Sequence, residues 1–368
     1  MTTIAPVGTF FLPGPTEVRH ETLVAMLQPM IPHRGAAFES LFARIQTGLK
    51  RVFRTGEQVL VSTSSATGLM EASVRCAPPG PVLSLVNGAF AERFANVAAA
   101  CGRETDVIEV EWGTTVPLDL VEARLGARRY AAVTVVHSET STGALADVRA
   151  VTELARRYGA FCLVDSVTGV AGAPLEFDAW ELDFVFTGSQ KALAIPPGLA
   201  FAVASPAYMA RAAEAPARGV YFDLVEFARN GAKNQTPNTP ALSLLYALDR
   251  QLEHVDAAGG IEARWAAHAA MAETTWRWAT RLDGVDVLAA PGERSPTVSA
   301  LTLPPGISPS GVVKDVAKLG YVIGNGYGRL RESTVRIGHM GDHTVDTLVG
   351  CLSAVEEVLR SQGVGGGV

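Results

Sequence analysis

The chain has 368 residues, 48% of them hydrophobic, with 31 Lys and Arg against 37 Asp and Glu for a formal net charge of −6. That length and apolar content can fill one large or two ordinary domains, and the interspersed charges exclude the basic footprint of a nucleic-acid or anionic-membrane binder. The four cysteines, Cys76, Cys101, Cys162 and Cys351, are scattered, lack metal-ligand spacing and lie mostly in apolar segments, as free thiols of a reducing cytoplasm do.

Residues 1–15 read as an N-terminal segment. Residues 1–11 have neither a basic stretch nor a sustained apolar run, so they do not read as a secretory signal, and no apolar run in the chain reaches membrane-spanning length. From about residue 57, short apolar strands alternate with amphipathic helical stretches. Strands are predicted at 58–61, 82–86, 107–111, 131–136, 161–164, 184–186 and 199–204. Helices are predicted at 69–76, 90–100, 118–125 and 148–158, where apolar residues recur at three- and four-residue spacing. This alternation predicts an α/β fold whose seven-stranded, mostly parallel sheet is buried between helices, in a large domain at 16–255. Near Pro240 the rhythm changes to long helices at 241–255 and 261–282. Strand 298–303, helix 309–319, strands 321–323 and 334–337, and helix 345–359 then predict a smaller α+β domain at 256–362. The glycines of 363–368 predict a frayed tail.

Ligands of open parallel sheets gather at the carboxyl ends of strands, so polar residues directly after the predicted strands are the candidates for chemistry. They are Ser62–Thr67, His137–Gly143, Asp165–Thr168 and Thr187–Lys191. Asp165 ends a wholly apolar strand, where a carboxylate calls for a cationic partner; a turn cap is its plain alternative. Lys191 would reach the same rim, where desolvation makes an amine nucleophilic, whereas a solvated surface lysine is the ordinary case. The hydroxyl run 62–67 before a helix suits a phosphate at free backbone N–H groups and equally suits a simple helix cap. No metal is expected: Gly341-Asp342 separates His339 from His343 and breaks a shared ligand face. Gly324-Asn325-Gly326-Tyr327-Gly328 lies in the C-terminal domain and fails the context of a dinucleotide fingerprint.

Taken together, these segments resemble the class V, fold-type I aminotransferases, especially the alanine–glyoxylate and serine–pyruvate branch, along nearly the whole chain. The resemblance rests on pieces in the family's order: Pro13-Gly14-Pro15-Thr16, Ser65-Ala66-Thr67 before Met70-Glu71-Ala72, Asn87-Gly88-Ala89-Phe90, His137 to Gly143, Val164-Asp165-Ser166-Val167, Gly188-Ser189-Gln190-Lys191, Thr236 to Pro240, and Arg336-Ile337-Gly338.

The resemblance implies a pyridoxal 5′-phosphate enzyme, with the cofactor attached to Lys191 and its pyridine nitrogen paired to Asp165. Phe90, where the family often has tryptophan, would stack on the ring. Ser65, Ala66, Thr67 and Gln190 would cradle the phosphate, and Thr140 would lie near the phenolic oxygen. Thr236 and Thr239 would reach the cofactor phosphate of a partner subunit, which implies a homodimer with shared active sites. Arg336 would hold the substrate carboxylate in a planar fork, with Gly14 beside the substrate. Ala66 replaces the family's phosphate-loop glycine, and its methyl narrows the backbone approach.

The implied reaction is a ping-pong transfer from a small amino acid (serine, alanine or aspartate) to glyoxylate or pyruvate. One alternative is a phosphoserine aminotransferase, in which Arg34 of Pro32-His33-Arg34-Gly35 would grip a distal anion; otherwise that segment is a loop leading into a helix. Another is a class V lyase such as a cysteine desulfurase, although residues 324–334 contain no cysteine and Gln190 replaces the histidine usual before the desulfurase lysine.

Overall fold

A computed structural model describes residues 8–366; residues 1–7 of the N-terminal segment and 367–368 of the predicted tail lie outside it. The first half of the chain runs β1 (Thr9–Phe11), α1 (His20–Ala25), α2 (Ala36–Phe53), β2 (Leu60–Ser62), α3 (Ala66–Cys76), β3 (Val82–Val86), α4 (Ala89–Ala100), β4 (Thr105–Glu109), α5 (Leu118–Ala127), β5 (Ala132–Val136), β6 (Ser138–Glu139) and β7 (Ala144–Leu145). It continues with α6 (Val148–Arg157), β8 (Phe161–Asp165), β9 (Phe184–Gly188), β10 (Ala200–Ala204), α7 (Pro206–Glu214), α8 (Leu224–Gly231), α9 (Leu242–Ala257) and α10 (Gly260–Ala279). The last elements are β11 (Asp286–Val287), β12 (Val298–Thr302), α11 (Pro309–Lys318), β13 (Tyr321–Asn325), β14 (Thr334–Gly338) and α12 (Val345–Ser361).

The large sheet has seven strands in the order β2-β10-β9-β8-β5-β3-β4. All neighbours pair in parallel except β10, which is antiparallel to both β2 and β9. Strand alternation divides the core into two layers. Cys162 and Val164 join Val133, Val185, Phe201 and residues of α2, α5, α6 and α9 on one face. Leu163 joins Phe184, Phe186, Ala202 and residues of α3, α4, α7 and α8 on the other. Burial on both faces is why these strands read as unbroken apolar runs.

The second sheet, β1-β13-β14-β12-β11, is antiparallel apart from the β1–β13 pair. The N-terminal segment therefore belongs in space with the C-terminal unit, through Thr9–Phe11 paired with Tyr321–Ile323. Helices α7 and α8 were not anticipated, although their starts carry ordinary signals: the Ser205 hydroxyl accepts from the Tyr208 amide with Pro206 in the first turn, and the Asp223 carboxylate accepts from the Val225 amide. The expected frayed tail needs correction over its described part. Val364 is buried in the C-terminal core, and the Gly365 carbonyl accepts from the Asp283 amide at 3.1 Å. An apolar side chain between glycines was enough to dock the end.

Candidate functional site

Three neighbouring strands of the large sheet, β5, β8 and β9, end at one cavity of about 240 Å³. Its walls bring together Ser65, Ala66, Thr67, Phe90, Thr140, Asp165, Gln190 and Lys191. A second, wider cleft of about 720 Å³ adjoins it and is lined by Gly14, Asn325, Tyr327, Arg331 and Arg336. Phe90, Thr140 and Lys191 line both recesses, so Lys191 stands in the wall between them.

Asp165 is the last residue of β8 and is 3% exposed. Its Oδ1 accepts from the Val167 amide at 2.9 Å, so the turn-capping role is real, and among the described residues no other protein hydrogen bond reaches this carboxylate. Burial pushes its carboxyl up to about 7, against the Val167 hydrogen bond and the more distant charges of Lys191 and Arg93.

Lys191 is the converse case. Burial, with Arg336 adding to it, brings its amine down to about 8, and Asp165 opposes that fall. Nζ donates to the Pro13 carbonyl. The loop that bears it is tied on two sides. Thr16 donates from its amide to the Gln190 carbonyl at 3.0 Å and from Oγ1 to the Lys191 carbonyl at 3.1 Å. Arg264 of α10 donates from Nε to the Ala192 carbonyl at 3.0 Å while pairing through Nη1 with partly buried Asp342 at 2.8 Å. Gly14, at φ +116, packs on this amine so closely that a β-carbon there would collide with the Lys191 side chain.

One end of the cavity is the start of α3. Ser65 is the N-cap, and the first amides of a helix have no intrahelical acceptor. The Ala66 side chain is 7% exposed and belongs to the apolar layer with Leu69 and Phe186. A β-carbon at Gly188 would lie 2.9 Å from Gln190 Oε1 and 3.4 Å from that methyl, so Gly188 leaves room for the Gln190 side chain while the Ala66 contact is an ordinary one.

Arg336 lies on β14. Its Nε donates to the Asn325 carbonyl at 2.7 Å and its Nη1 to the Thr140 carbonyl at 3.1 Å. Three of its five N–H groups remain for a ligand in the cleft. The guanidinium lies over the Tyr327 ring at 5.4 Å, and burial lowers its pKa to about 10, still charged at neutral pH.

Other site residues were not singled out by sequence. Glu139 is fully buried and accepts from the amides of Phe90 at 3.0 Å and Ala91 at 2.9 Å, and from the amide and hydroxyl of Ser141. Burial raises its pKa, and those four donors oppose the rise. A carboxylate on the first turn of α4 is the arrangement that the helix dipole favours, and it fixes the turn that carries Phe90. Arg93, one turn further along α4, lines the cavity, places its guanidinium 5.0 Å from the Phe90 ring centroid and donates from Nη2 to the Tyr327 hydroxyl at 3.1 Å. Tyr327 stacks on Phe90 at 5.5 Å. The three-residue step from Phe90 to Arg93 was the available signal for Arg93. For Tyr327 it was the glycine-rich segment, informative once the nucleotide reading is set aside.

Within one chain, Thr236, Thr239 and Arg34 do not line this cavity. Thr236 and Thr239 line a separate crevice with Thr63 and Tyr221. Arg34 donates to Gln235 Oε1 at 3.2 Å and to the carbonyls of Thr236 at 2.7 Å and Pro237 at 3.3 Å, which holds that loop in place. His339 is spent on Ser299 and the Pro296 carbonyl, and His343 on the Phe10 carbonyl.

Comparison with known proteins adds an independent line. Residues 24–326 match the class-V aminotransferase family. The chain is 31% identical over 364 residues to the L-aspartate–glyoxylate aminotransferase of Paracoccus denitrificans, covering 96% of this chain and 91% of that one. It is 30% identical over 369 residues to the serine–glyoxylate aminotransferase of Methylorubrum extorquens, covering 96% and 91%. Its fold is similar, at a TM-score of 0.91 and 28% identity, to the crystal structure of an alanine–glyoxylate aminotransferase from Nostoc sp., covering 98% of this chain and 97% of that one. With the family matched from residue 24 to 326 and relatives similar along almost the entire length, this chain belongs to the class-V aminotransferases, transaminases of the fold-type I architecture.

Proposed function

We propose that this enzyme holds pyridoxal phosphate on Lys191 and moves the amino group of a small amino acid to glyoxylate or pyruvate in two alternating half-reactions. The observation that carries this reading is the position of Lys191 in the wall between two recesses, one bearing Asp165 and the α3 N-terminus, the other bearing Arg336. The residues suit the cofactor: a buried carboxylate at about 7 with no cation bonded to it calls for a protonated ring nitrogen, and the amides that open α3 suit a phosphate.

When bound, pyridoxal phosphate supplies the electron sink that acidifies the α-carbon of an amino acid. Arg336 binds and orients the α-carboxylate through its unspent N–H groups. The Lys191 amine, tuned to about 8, takes the proton from the substrate α-carbon and later returns one in the reverse half-reaction. Glu139 holds Phe90 against the cavity, and Thr16 and Arg264 hold the lysine loop. Thr236 and Thr239 serve the site of a partner subunit; exposed Leu27, Met30 and Val220 support such an interface. Among the described residues no helix is long and apolar enough to cross a membrane, and the four free thiols suit a reducing compartment.

The test is reduction of the cofactor-loaded protein with borohydride, followed by peptide mass analysis and by absorption changes on adding alanine, serine or aspartate. A phosphopyridoxyl mass on the Lys191 peptide, lost in Lys191→Ala, together with bleaching of the near-visible band by an amino acid, is the expected result. A modified peptide unaffected by that substitution would overturn the assignment.

A further inference from the structure

The chain that leaves β14 makes contacts that the proposed chemistry does not use. β14 carries Arg336, ends at Gly338 and runs on through Gly341 to Asp342. The partly buried Asp342 carboxylate gathers donors from three elements: Arg264 Nη1 of α10 at 2.8 Å, Gln251 Nε2 of α9 at 3.0 Å, and Arg19 Nε at the start of α1 at 3.1 Å. Burial would raise its carboxyl, but Arg264, with Gln251 and Arg19, brings it below the ordinary carboxylate value, so it is an anion at neutral pH. The Gly341 amide donates to His268 Nε2 at 3.0 Å, which leaves Nδ1 to donate to the Arg264 carbonyl at 2.6 Å. Gly341 and Asp342 are therefore both fastened to one face of α10, at residues four apart.

Arg264 is where this fastening meets Lys191. Its side chain is 9% exposed, and its guanidinium divides its donors between two acceptors: Nη1 to Asp342, and Nε and Nη2 to the carbonyl of Ala192, the residue after Lys191. The carbonyls of Gln190 and Lys191 accept from Thr16, so three successive carbonyls of the lysine loop are held from outside it. Gly341, at φ +90, packs on the same supports, since a β-carbon there would lie 3.3 Å from the Ala194 methyl and 3.4 Å from Thr16 Cβ. Gly338 leaves no room for a β-carbon against the Leu12 carbonyl, and the next residue, Pro13, accepts from Lys191 Nζ. A guanidinium out of water with one neutral carbonyl for an acceptor is poorly compensated, so the hold on Ala192 depends on the Asp342 anion. The planar fork makes the link directional, because meeting one acceptor fixes the angle at which the other is met.

We infer that Asp342 is a positioning residue for Lys191: through Arg264 it fixes the backbone bearing the amine to the segment that continues from the Arg336 strand, so that amine and carboxylate fork keep one mutual placement. Its consequence for turnover rests on the transaminase reading, whereas the fixing of Lys191 is a property of this chain by itself.

The experiment compares wild type with Asp342→Asn, Arg264→Lys and the double variant in two readouts. In the pyridoxal-phosphate-loaded protein, Asp342→Asn should lower the limiting rate of the half-reaction with an amino donor by roughly 10- to 100-fold, the scale of a small misplacement. The donor concentration at half-saturation should change little, because Arg336 is untouched. The double variant should fall no further than the worse single one, as residues acting through one link do. In the cofactor-free protein, acetylation of Lys191 followed against pH by peptide mass analysis should show a midpoint moved upward from the wild-type value, since a released loop lets water reach the amine while the charges around it, Arg336, Asp165 and Arg93, are unaltered. Variants that lose thermal stability yet keep the limiting rate and the acetylation midpoint would make the pair merely structural and overturn the inference. Independent, multiplying losses in the double variant also overturn it, as does a raised half-saturation with an unchanged limiting rate. If Asp342→Asn does not fold, Arg264→Lys, which keeps a charge opposite Asp342 but not the fork, decides by the same two readouts. A wild type that binds the cofactor on Lys191 yet reacts with no amino acid would instead defeat the transaminase reading, and the acetylation midpoint would still decide the positioning of Lys191.

Discussion

Asp165→Asn should stabilise the cofactor-free protein in a pH-dependent way while damaging the enzyme. The buried carboxyl sits at about 7 against an ordinary value of 3.8. Below the ordinary carboxylate range it is protonated in both the folded and the unfolded chain, so it contributes no penalty there. As pH rises, the unfolded chain releases the proton first and the fold keeps it, so stability falls until the folded carboxyl also ionises near 7. At ~1.4 kcal/mol per pH unit between the two values, the full cost above that point is about 4 kcal/mol, a ceiling set by burial of an anion with no bonded cation. Asparagine is nearly isosteric, keeps an oxygen for the Val167 amide and carries no charge. In urea denaturation the cofactor-free variant should exceed wild type by about 2 kcal/mol or less at pH 5 and by up to about 4 kcal/mol at pH 8. Added pyridoxal phosphate should reverse the order at pH 8, since only the aspartate gains an ion pair. A difference that does not change with pH, or a variant less stable than wild type at pH 8, would refute the reasoning.

Three further outcomes follow from the geometry. Gly14→Ala places a methyl on the Lys191 side chain at a positive φ, so the near-visible cofactor band should disappear while far-ultraviolet circular dichroism is retained; a wild-type band would contradict this. Arg336→Ala should weaken amino-acid and keto-acid substrates alike, by roughly 2–5 kcal/mol if the carboxylate is left unpaired, with the cofactor band intact, as read from half-reaction titrations. Glu139→Gln replaces a four-donor acceptor by an amide with one acceptor oxygen. Leaving buried donors unmet should cost roughly 2–4 kcal/mol in denaturation and reduce turnover through Phe90; unchanged stability would show that the α4 cap is dispensable.

The legible parts of this protein were those that local pattern encodes. Apart from the edge strand β4, strands of the large sheet are buried on both faces and appear as largely apolar runs, and β3 was legible residue for residue at 82–86. Asp165 and Lys191 were legible because strand ends in a parallel sheet share one rim, and a polar residue directly after an apolar run marks that rim. Such signals need only a few consecutive residues.

Contacts between distant segments leave no such trace. The strand Thr9–Phe11 is too short to show a period and acquires its identity only by pairing with Tyr321–Ile323. The antiparallel direction of β10 depends on its neighbours β2 and β9, and not on its own composition. Glu139 meets the Phe90 amide across 49 residues and Arg93 meets Tyr327 across 234. Sequence alone determined which residues must leave water and which polar groups border them. Tertiary structure alone decided which of those groups face each other, because charge and hydrogen-bond complementarity act at a few ångströms and spacing along the chain does not measure that distance.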